Sequence, residues 1–342
     1  MKKTYPTRQL SLDYLIEEYS ILFETPSYPG GESALAEIIK CILSQLIDAD
    51  FTTDLNGNLV ARINPSVPLS LILEAHIDRV AAGVCNVGID GRIYTHPIGR
   101  LELNRYFGNF IYIIDKKGNK IPAIAGGNTK IPGIASACES VWLDTGNRHG
   151  DVRVGDIAQF FNGPKALGTY LAGAGLDNLI GVICLIEAAK NICSNDIGLA
   201  LWFSSKEEIG ATALPEFDLC RKGMFISIDT CFSSDCSDIS VNSLGSQHLS
   251  GGPIVLYDPH CSRDFNERII ELASGHNIRH QKYLNIAPGH GLTVTNPALA
   301  SLKAMRSCLL LPVRYMHSPQ EVCSVRDMND LIALLNIIAH EI

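Results

Sequence analysis

This chain of 342 residues contains two kinds of sequence pattern in separate segments, and this division constrains the possible folds more than any other feature. In residues 1–79 and 166–342, apolar residues recur at helical spacing or form the short continuous runs of buried strands. In residues 80–165, Gly and Pro recur every few residues, short β-like runs flank turns, and no helical period is present. The patterns predict a discontinuous α/β domain, 1–79 with 166–342, that encloses a small all-β insertion over 80–165.

Within the α/β parts, the spacing of apolar residues predicts individual elements. Helices are expected over 10–23, 34–46, 178–191, 262–274, 296–305 and 326–340. Strands are expected over 69–75, 198–204, 223–228 and 308–311, after a hairpin over 51–63 with Asn56-Gly57-Asn58 at its tip. Helices that alternate with buried strands predict a mainly parallel, doubly wound sheet covered on both faces.

The charge balance excludes several classes of protein. The chain carries 28 Lys+Arg against 36 Asp+Glu, a net charge of -8, and no basic run that could follow nucleic-acid phosphates. Its longest apolar stretch, 179–189, is far shorter than the roughly 20 residues that span a bilayer, and it contains Glu187. We therefore expect neither a nucleic-acid partner nor a membrane partner.

The N-terminus and the cysteines indicate a cytoplasmic protein. Met1-Lys2-Lys3 is not followed by the apolar core of a signal peptide. Eleven cysteines are an odd number, and no Cys-x-x-Cys pair occurs among them, which favours reduced thiols. Only 19% of the residues are charged, against about 25% in a typical soluble protein, so we expect a large interior or surface buried between subunits.

Five segments place a His or an acidic residue at or just beyond the end of an apolar run. They are Glu74-Ala-His76-Ile-Asp78, Gly175-Leu-Asp177-Asn178, Ser204-Ser-Lys-Glu207-Glu208-Ile-Gly210, Ser227-Ile-Asp229-Thr230 and Arg314-Tyr-Met-His317-Ser-Pro319. The carboxyl ends of parallel strands meet at one edge of a sheet, so these side chains are expected to converge there. Two imidazoles and several carboxylates, without a thiolate, suit two divalent ions about 3.5–4 Å apart with one carboxylate bridging them.

Charge and spacing support this interpretation. Two zinc ions would be neutralised by Asp177, Glu208, Asp229 and a bridging hydroxide, which avoids a buried net charge. Asp78, two residues after His76, could accept the second N–H of that imidazole. Taken singly, each segment is more often a capping or surface feature, so the prediction depends on their combination.

The neighbouring carboxylates Glu207 and Glu208 suggest a division of labour. Two adjacent acids after a buried strand repel each other unless one holds a cation and the other carries a proton on and off, as a hydrolase requires. For this pair alone, a solvated helical turn is an equally good interpretation.

These segments occur in the order found in metallopeptidase family forty-two, the glutamyl, deblocking and tetrahedral aminopeptidases, and the chain resembles that family over about residues 10–340. The resemblance implies a zinc aminopeptidase-like fold with a β-barrel-like dimerisation domain, and dimers that assemble into hollow dodecamers open to short peptides. It implies two zinc or cobalt ions per subunit, with Glu207 as general base. The implied ligands are Asp177 as the bridge, His76 and Asp229 for one ion, and Glu208 and His317 for the other.

Two departures from the family pattern bear on activity. Arg79 follows His76-Ile-Asp78 where family members usually have Glu, and Gly289-His290-Gly291 replaces an acidic loop. The leading hypothesis is a dinuclear-metal aminopeptidase that acts on short peptides. The alternatives are a metal-dependent hydrolase of another amide, such as an N-acyl amino acid, or of a glycan, and a catalytically weakened assembly protein.

Overall fold

A large mixed sheet and a small closed barrel make up the β-structure of the computed structural model, which describes residues 9–127, 141–192, 197–217, 219–236, 245–284 and 293–341. The strands before and within the barrel are β1 (Asp50–Thr53), β2 (Leu59–Ile63), β3 (Leu69–His76), β4 (Ala81–Val87), β5 (Ile93–Ile98), β6 (Phe110–Ile114), β7 (Lys120–Gly127), β8 (Val141–Asp144) and β9 (Ile157–Gln159). The strands after it are β10 (Lys165–Leu167), β11 (Tyr170–Gly173), β12 (Gly198–Ser204), β13 (Leu219–Phe232), β14 (Ile254–Tyr257), β15 (Gln281–Leu284), β16 (Met305–Arg314) and β17 (Glu321–Ser324).

The α-helices in the described part of the chain cover the sheet from one side. They are α1 (Leu12–Glu24), α2 (Ser33–Ser44), α3 (Leu176–Ile192), α4 (Arg263–Gly275) and α5 (Val325–Glu341). Apolar residues of all five helices join one core cluster with alternate residues of β3 such as Leu71 and Leu73. A second cluster on the other face includes Ile72 and Trp202 and is covered by Val294, Leu299 and Leu302. Among the described residues, helical layers on both faces are therefore not found.

The sheet is parallel in its centre and antiparallel at its flanks. Strands β12, β3, β13 and β16 run parallel, as do β14 and β15, whereas the other described pairs of this sheet are antiparallel. The short hairpin β1–β2 and the closely connected β10–β11 pair can only be antiparallel, because a parallel pair needs a long crossover. A mixed α/β fold with a large sheet is thus confirmed, and the expectation of mainly parallel strands holds for the centre only.

The expected helix over 296–305 is wrong. A short 3₁₀ helix spans Pro297–Ser301, and β16 begins at Met305, which pairs with Met224 of β13. The buried residues Leu299 and Leu302 contact the second core cluster. Sheet pairing therefore overrides the local helical spacing here, while the other expected helices and strands agree with the structure to within a few residues outside the extended β13 and β16.

The barrel follows directly on β3. Strands β4, β5, β8, β7, β6 and β9 close in that order around their own core, in which Tyr106 packs on Phe160 with ring centroids 4.1 Å apart. Because β3 ends at His76 and β4 begins at Ala81, four residues separate the sheet from the barrel. The barrel is thus tied to the carboxyl edge of the central strands, while the exact domain limits at 79 and 165 stay a prediction.

Candidate metal centre

The candidate side chains converge at the carboxyl edge of the central sheet. His76 ends β3, Asp229 lies in β13, and Glu207 and Glu208 form a 3₁₀ turn directly after β12. Asp177 lies in the first turn of α3, and His317 lies in the loop between β16 and β17. All but His317 are less than a tenth exposed, and the His317 side chain is 14% exposed. The carboxyl edge of the sheet thus brings together residues that are up to 241 positions apart in sequence.

Two groups of potential ligands share Asp177. In the first, His76 Nε2 lies 3.2 Å from Asp177 Oδ1 and 3.5 Å from Asp229 Oδ1. In the second, His317 Nε2 lies 3.1 Å from Asp177 Oδ2 and 3.3 Å from Glu208 Oε2. Within each group, the potential ligand atoms lie within 4.8 Å of one another. Asp177 offers one oxygen to each group, which is the arrangement of a bridging carboxylate.

Two buried carboxylate oxygens at this site have no hydrogen-bond donor. They are Glu207 Oε1 and Glu208 Oε1. A buried carboxylate oxygen without a donor is costly, and a cation bound by Glu208 or a proton accepted by Glu207 would remove this cost. Imidazole nitrogens and carboxylate oxygens are also the ligands that zinc and cobalt accept. The residues present therefore fit divalent metal ions.

The electrostatics of the cluster favour added positive charge. Burial raises the pKa of Glu207, Glu208 and Asp229. Burial opposes the charged form of His317, but Glu208 and Asp177 overcome it and raise the pKa of that imidazole to about 12. Burial would likewise raise the pKa of Asp177, yet hydrogen bonds from His317 and His76 lower it. In the absence of metal, protons must neutralise a site dominated by carboxylates.

The hydrogen-bond partners of the Asp78 carboxylate differ from the one that the sequence predicts. Its backbone oxygen, rather than its carboxylate, lies 3.0 Å from His76 Nδ1, while the carboxylate Oδ1 is 3.6 Å from that nitrogen. The carboxylate instead accepts hydrogen bonds from the backbone N–H groups of Glu207 and Glu208, both at 3.0 Å. Lys206, just before this pair, has φ 60, and the resulting tight turn points both N–H groups at Asp78. Asp78 therefore fixes the Glu207–Glu208 turn.

Sequence reasoning missed Glu321. This buried carboxylate accepts the backbone N–H of Asp177 with Oε2 at 3.0 Å and that of His317 with Oε1 at 2.6 Å. The available signal was its position four residues after His317, at the start of β17. Such a residue supports the ligands without being one of them.

Arg79 is buried behind the centre. Its guanidinium donates to the backbone oxygens of Phe23, at 3.3 Å, and Thr25, at 2.5 Å, and its stem packs against Gly175. The guanidinium thus joins the end of α1 to the segment before α3, and it does not take the place of a ligand. The other departure from the family pattern, Gly289-His290-Gly291, lies outside the described residues.

Comparison with known proteins decides the family. The sequence model of the M42 glutamyl aminopeptidase family matches residues 57–334, most of the chain. The chain belongs to the M42 family. It is therefore a metal-dependent aminopeptidase, a hydrolase of peptide bonds.

Individual known proteins are similar to this chain over nearly its whole length. The lysyl aminopeptidase of Pyrococcus furiosus is 23% identical, and the alignment covers 94% of this chain and 95% of the relative. An aminopeptidase from the archaeon Desulfurococcus kamchatkensis has the same fold, with a TM-score of 0.84 at 19% identity, over 97% of this chain and 96% of that one. The Pyrococcus horikoshii TET1 peptidase, described as assembling into a tetrahedron or a large octahedral shell, has a TM-score of 0.76 at 20% identity, over 96% of this chain and 100% of that one.

No helix in the described part of this M42 protein combines the length and the apolar character needed to cross a membrane.

Proposed function

We propose that this M42 aminopeptidase holds two divalent ions, zinc or cobalt, on the two ligand groups that share Asp177. His76 and Asp229 would complete one ion site, and Glu208 and His317 the other. The observation that carries the proposal is the bridging geometry, in which the two oxygens of Asp177 lie 3.2 Å and 3.1 Å from the two imidazoles. When bound, such ions polarise the scissile carbonyl and lower the pKa of the attacking water.

Glu207 is the proposed general base. Its Oε2 lies 3.9 Å from His76 Nε2, and its Oε1 is buried without a donor, so this oxygen is free to accept a proton. The Asp78 carboxylate accepts the backbone N–H of Glu207, which fixes the position of the Glu207 backbone. In this position Glu207 takes the proton of the attacking water and later passes it to the leaving amine.

A substrate panel with and without chelator tests the proposed function. We expect release of the first residue from short peptides with a free amino terminus, loss of that activity after chelation, and recovery when Zn²⁺ or Co²⁺ is restored. The same peptides with an acetylated amino terminus are the matched control and should remain uncut. Cleavage of the acetylated peptides instead would favour an acylamino substrate, and hydrolysis of a glycan alone would contradict the proposal.

The weakened-assembly alternative is not supported by the site. Of the two departures that motivate it, Arg79 contacts backbone oxygens of Phe23 and Thr25 and leaves every ligand position free, and the His290 loop lies outside the described residues. Two ions per chain with no turnover of any amide would still revive it.

We also propose that the protein is cytoplasmic and forms homo-oligomers, from a dimer up to a dodecamer, through its barrel. The outer barrel surface exposes Phe110 and Ile124, which are paired across β6 and β7, and the nearby Phe107. Eight cysteines in the described part of the chain have free thiols, in keeping with a reducing compartment. A closed assembly would restrict substrates to short peptides.

A further inference from the structure

The loop that carries His317 adopts a backbone conformation that needs support. Tyr315 and His317 both have φ 59, in the left-handed region that L-residues rarely occupy. The loop joins the end of β16 at Arg314 to the start of β17 at Glu321. Residues in such a conformation persist only where surrounding contacts hold them.

Besides the contacts of His317 Nε2 with Asp177 and Glu208, three hydrogen bonds support Met316 and His317, and two of these come from the barrel. Glu321 Oε1 accepts the backbone N–H of His317 at 2.6 Å. The backbone oxygen of Arg100 lies 3.0 Å from His317 Nδ1. Arg105 donates from Nη1 to the backbone oxygen of Met316 at 3.1 Å. Both arginines lie in the barrel segment 100–105, between β5 and β6.

The barrel contacts determine how the imidazole faces the centre. When Nδ1–H donates to the Arg100 oxygen, the Nε2 lone pair is left free, and Nε2 is the atom beside Asp177 and Glu208. Arg105 is held in turn by Glu102, with Nε 2.9 Å from Glu102 Oε2. The same segment is anchored to the barrel core by Tyr106, whose ring packs on Phe160.

The other ligand group is supported by residues that lie in the sheet strands or directly after them. His76 Nδ1 contacts the backbone oxygen of Asp78, and Asp229 Oδ1 accepts from the N–H of Thr230. We propose that the barrel segment 100–105 is a positioning element for one ion site only, the site of Asp177, Glu208 and His317. Arg105 is its positioning residue. This inference rests on the two-ion centre proposed above and adds a role for the barrel besides subunit contacts.

The test is a Co²⁺ titration of the metal-free full-length protein, followed by visible absorbance and by ion counting. Arg105→Met removes the donor to Met316 and keeps the apolar stem; the Arg105 side chain is 40% exposed, so the fold should tolerate the change. We expect about tenfold weaker binding of one ion, a typical cost of losing an outer support, and unchanged binding of the other. Arg105→Lys, which keeps a donor, should recover part of the affinity.

Arg148→Met is the matched control. Arg148 is also a barrel residue, pairs with Asp151 three positions later and is 52% exposed, but its described contacts do not reach the centre. It should bind both ions as the parent does. In a His317→Ala background, which lacks the affected ion position, Arg105→Met should cause no further loss.

The outcomes separate this inference from the proposed function. Two ions bound equally well by Arg105→Met and Arg148→Met would overturn the role of the barrel segment and leave the two-ion centre intact. Equal weakening of both ions by Arg105→Met would also overturn it, because a general loss of structure would explain that result. A parent protein that binds fewer than two ions would overturn the two-ion centre and this inference with it.

Discussion

At the scale of single residues, two carboxylates that are not proposed ligands organise those that are. Asp78 accepts two N–H groups from Glu207 and Glu208, and Glu321 accepts one each from Asp177 and His317. Each of these bonds gives a buried carboxyl oxygen the N–H donor that its burial requires. The positions of the ligands are therefore fixed through their backbone as well as through their side chains.

The residue-scale prediction concerns Glu207. Glu207→Gln keeps the size of the side chain and its backbone contact to Asp78 but removes the proton acceptor, so kcat should fall by about 10²–10⁴. The number of bound ions should stay the same, because Glu207 belongs to neither ligand group. Steady-state kinetics and ion counting check both parts. The control is Glu216→Gln, the same change at an exposed residue nine positions further along the chain. Full activity in Glu207→Gln would refute the role assigned to Glu207.

At the scale of elements, the start of α5 holds the loop before β14. Asp327, in the first turn of α5, accepts the backbone N–H groups of Ser250 and Gly252, both at 2.7 Å. Gly252 has φ 91, and a Cβ at this position would lie 2.1 Å from the backbone oxygen of Arg279. Glycine is required here by both conformation and space.

The element-scale prediction follows from the close approach of the Arg279 backbone to Gly252. Gly252→Ala should destabilise the protein by about 3 kcal/mol or more, because a backbone atom blocks the new methyl group. Gly118→Ala is the matched control: Gly118 has φ 82 and open space around it, so only the backbone strain of about 1–2 kcal/mol should appear. Urea unfolding of both variants measures the difference, and equal losses would show that the contact with Arg279 relaxes without cost.

At the scale of the whole molecule, the barrel exposes a pair of apolar side chains on neighbouring strands. The Phe110 side chain is 63% exposed, and that of its cross-strand partner Ile124 is 43% exposed. This apolar pair fits the subunit contact proposed above. The low charge content of the chain, 19%, is consistent with surface that becomes buried in an assembly.

The whole-molecule prediction is a native mass above that of one 37.2 kDa chain. Sedimentation at micromolar concentration should show a dimer or a larger closed assembly. Phe110→Asp places a charge in the proposed contact and should shift the distribution towards the monomer, whereas Val154→Asp, at another exposed apolar barrel residue, serves as the control. A parent protein that sediments only as a monomer would contradict the proposed oligomer.

The sequence alone predicted the types of most elements and the candidate ligands that the structure brings together, but not Glu321. Apolar spacing depends on local geometry, so it located α3 and β12 correctly. The expectation that the ends of parallel strands meet correctly placed His76 beside Asp229. Apolar spacing failed at 296–305, where the helical spacing was overridden by pairing between β16 and β13, strands that are distant in sequence.

Only the tertiary structure decided which atoms meet at the centre. Asp78 is 129 residues from Glu207, and Glu321 is 144 residues from Asp177, yet each pair is joined by a hydrogen bond of 3.0 Å. No local pattern encodes such a bond, because its length depends on how β3, α3 and β17 pack. For the same reason, the contact of Arg105 with the His317 loop became visible only when the barrel was placed beside the sheet. Local spacing thus chose the candidate residues, and packing over long sequence distances set their partners.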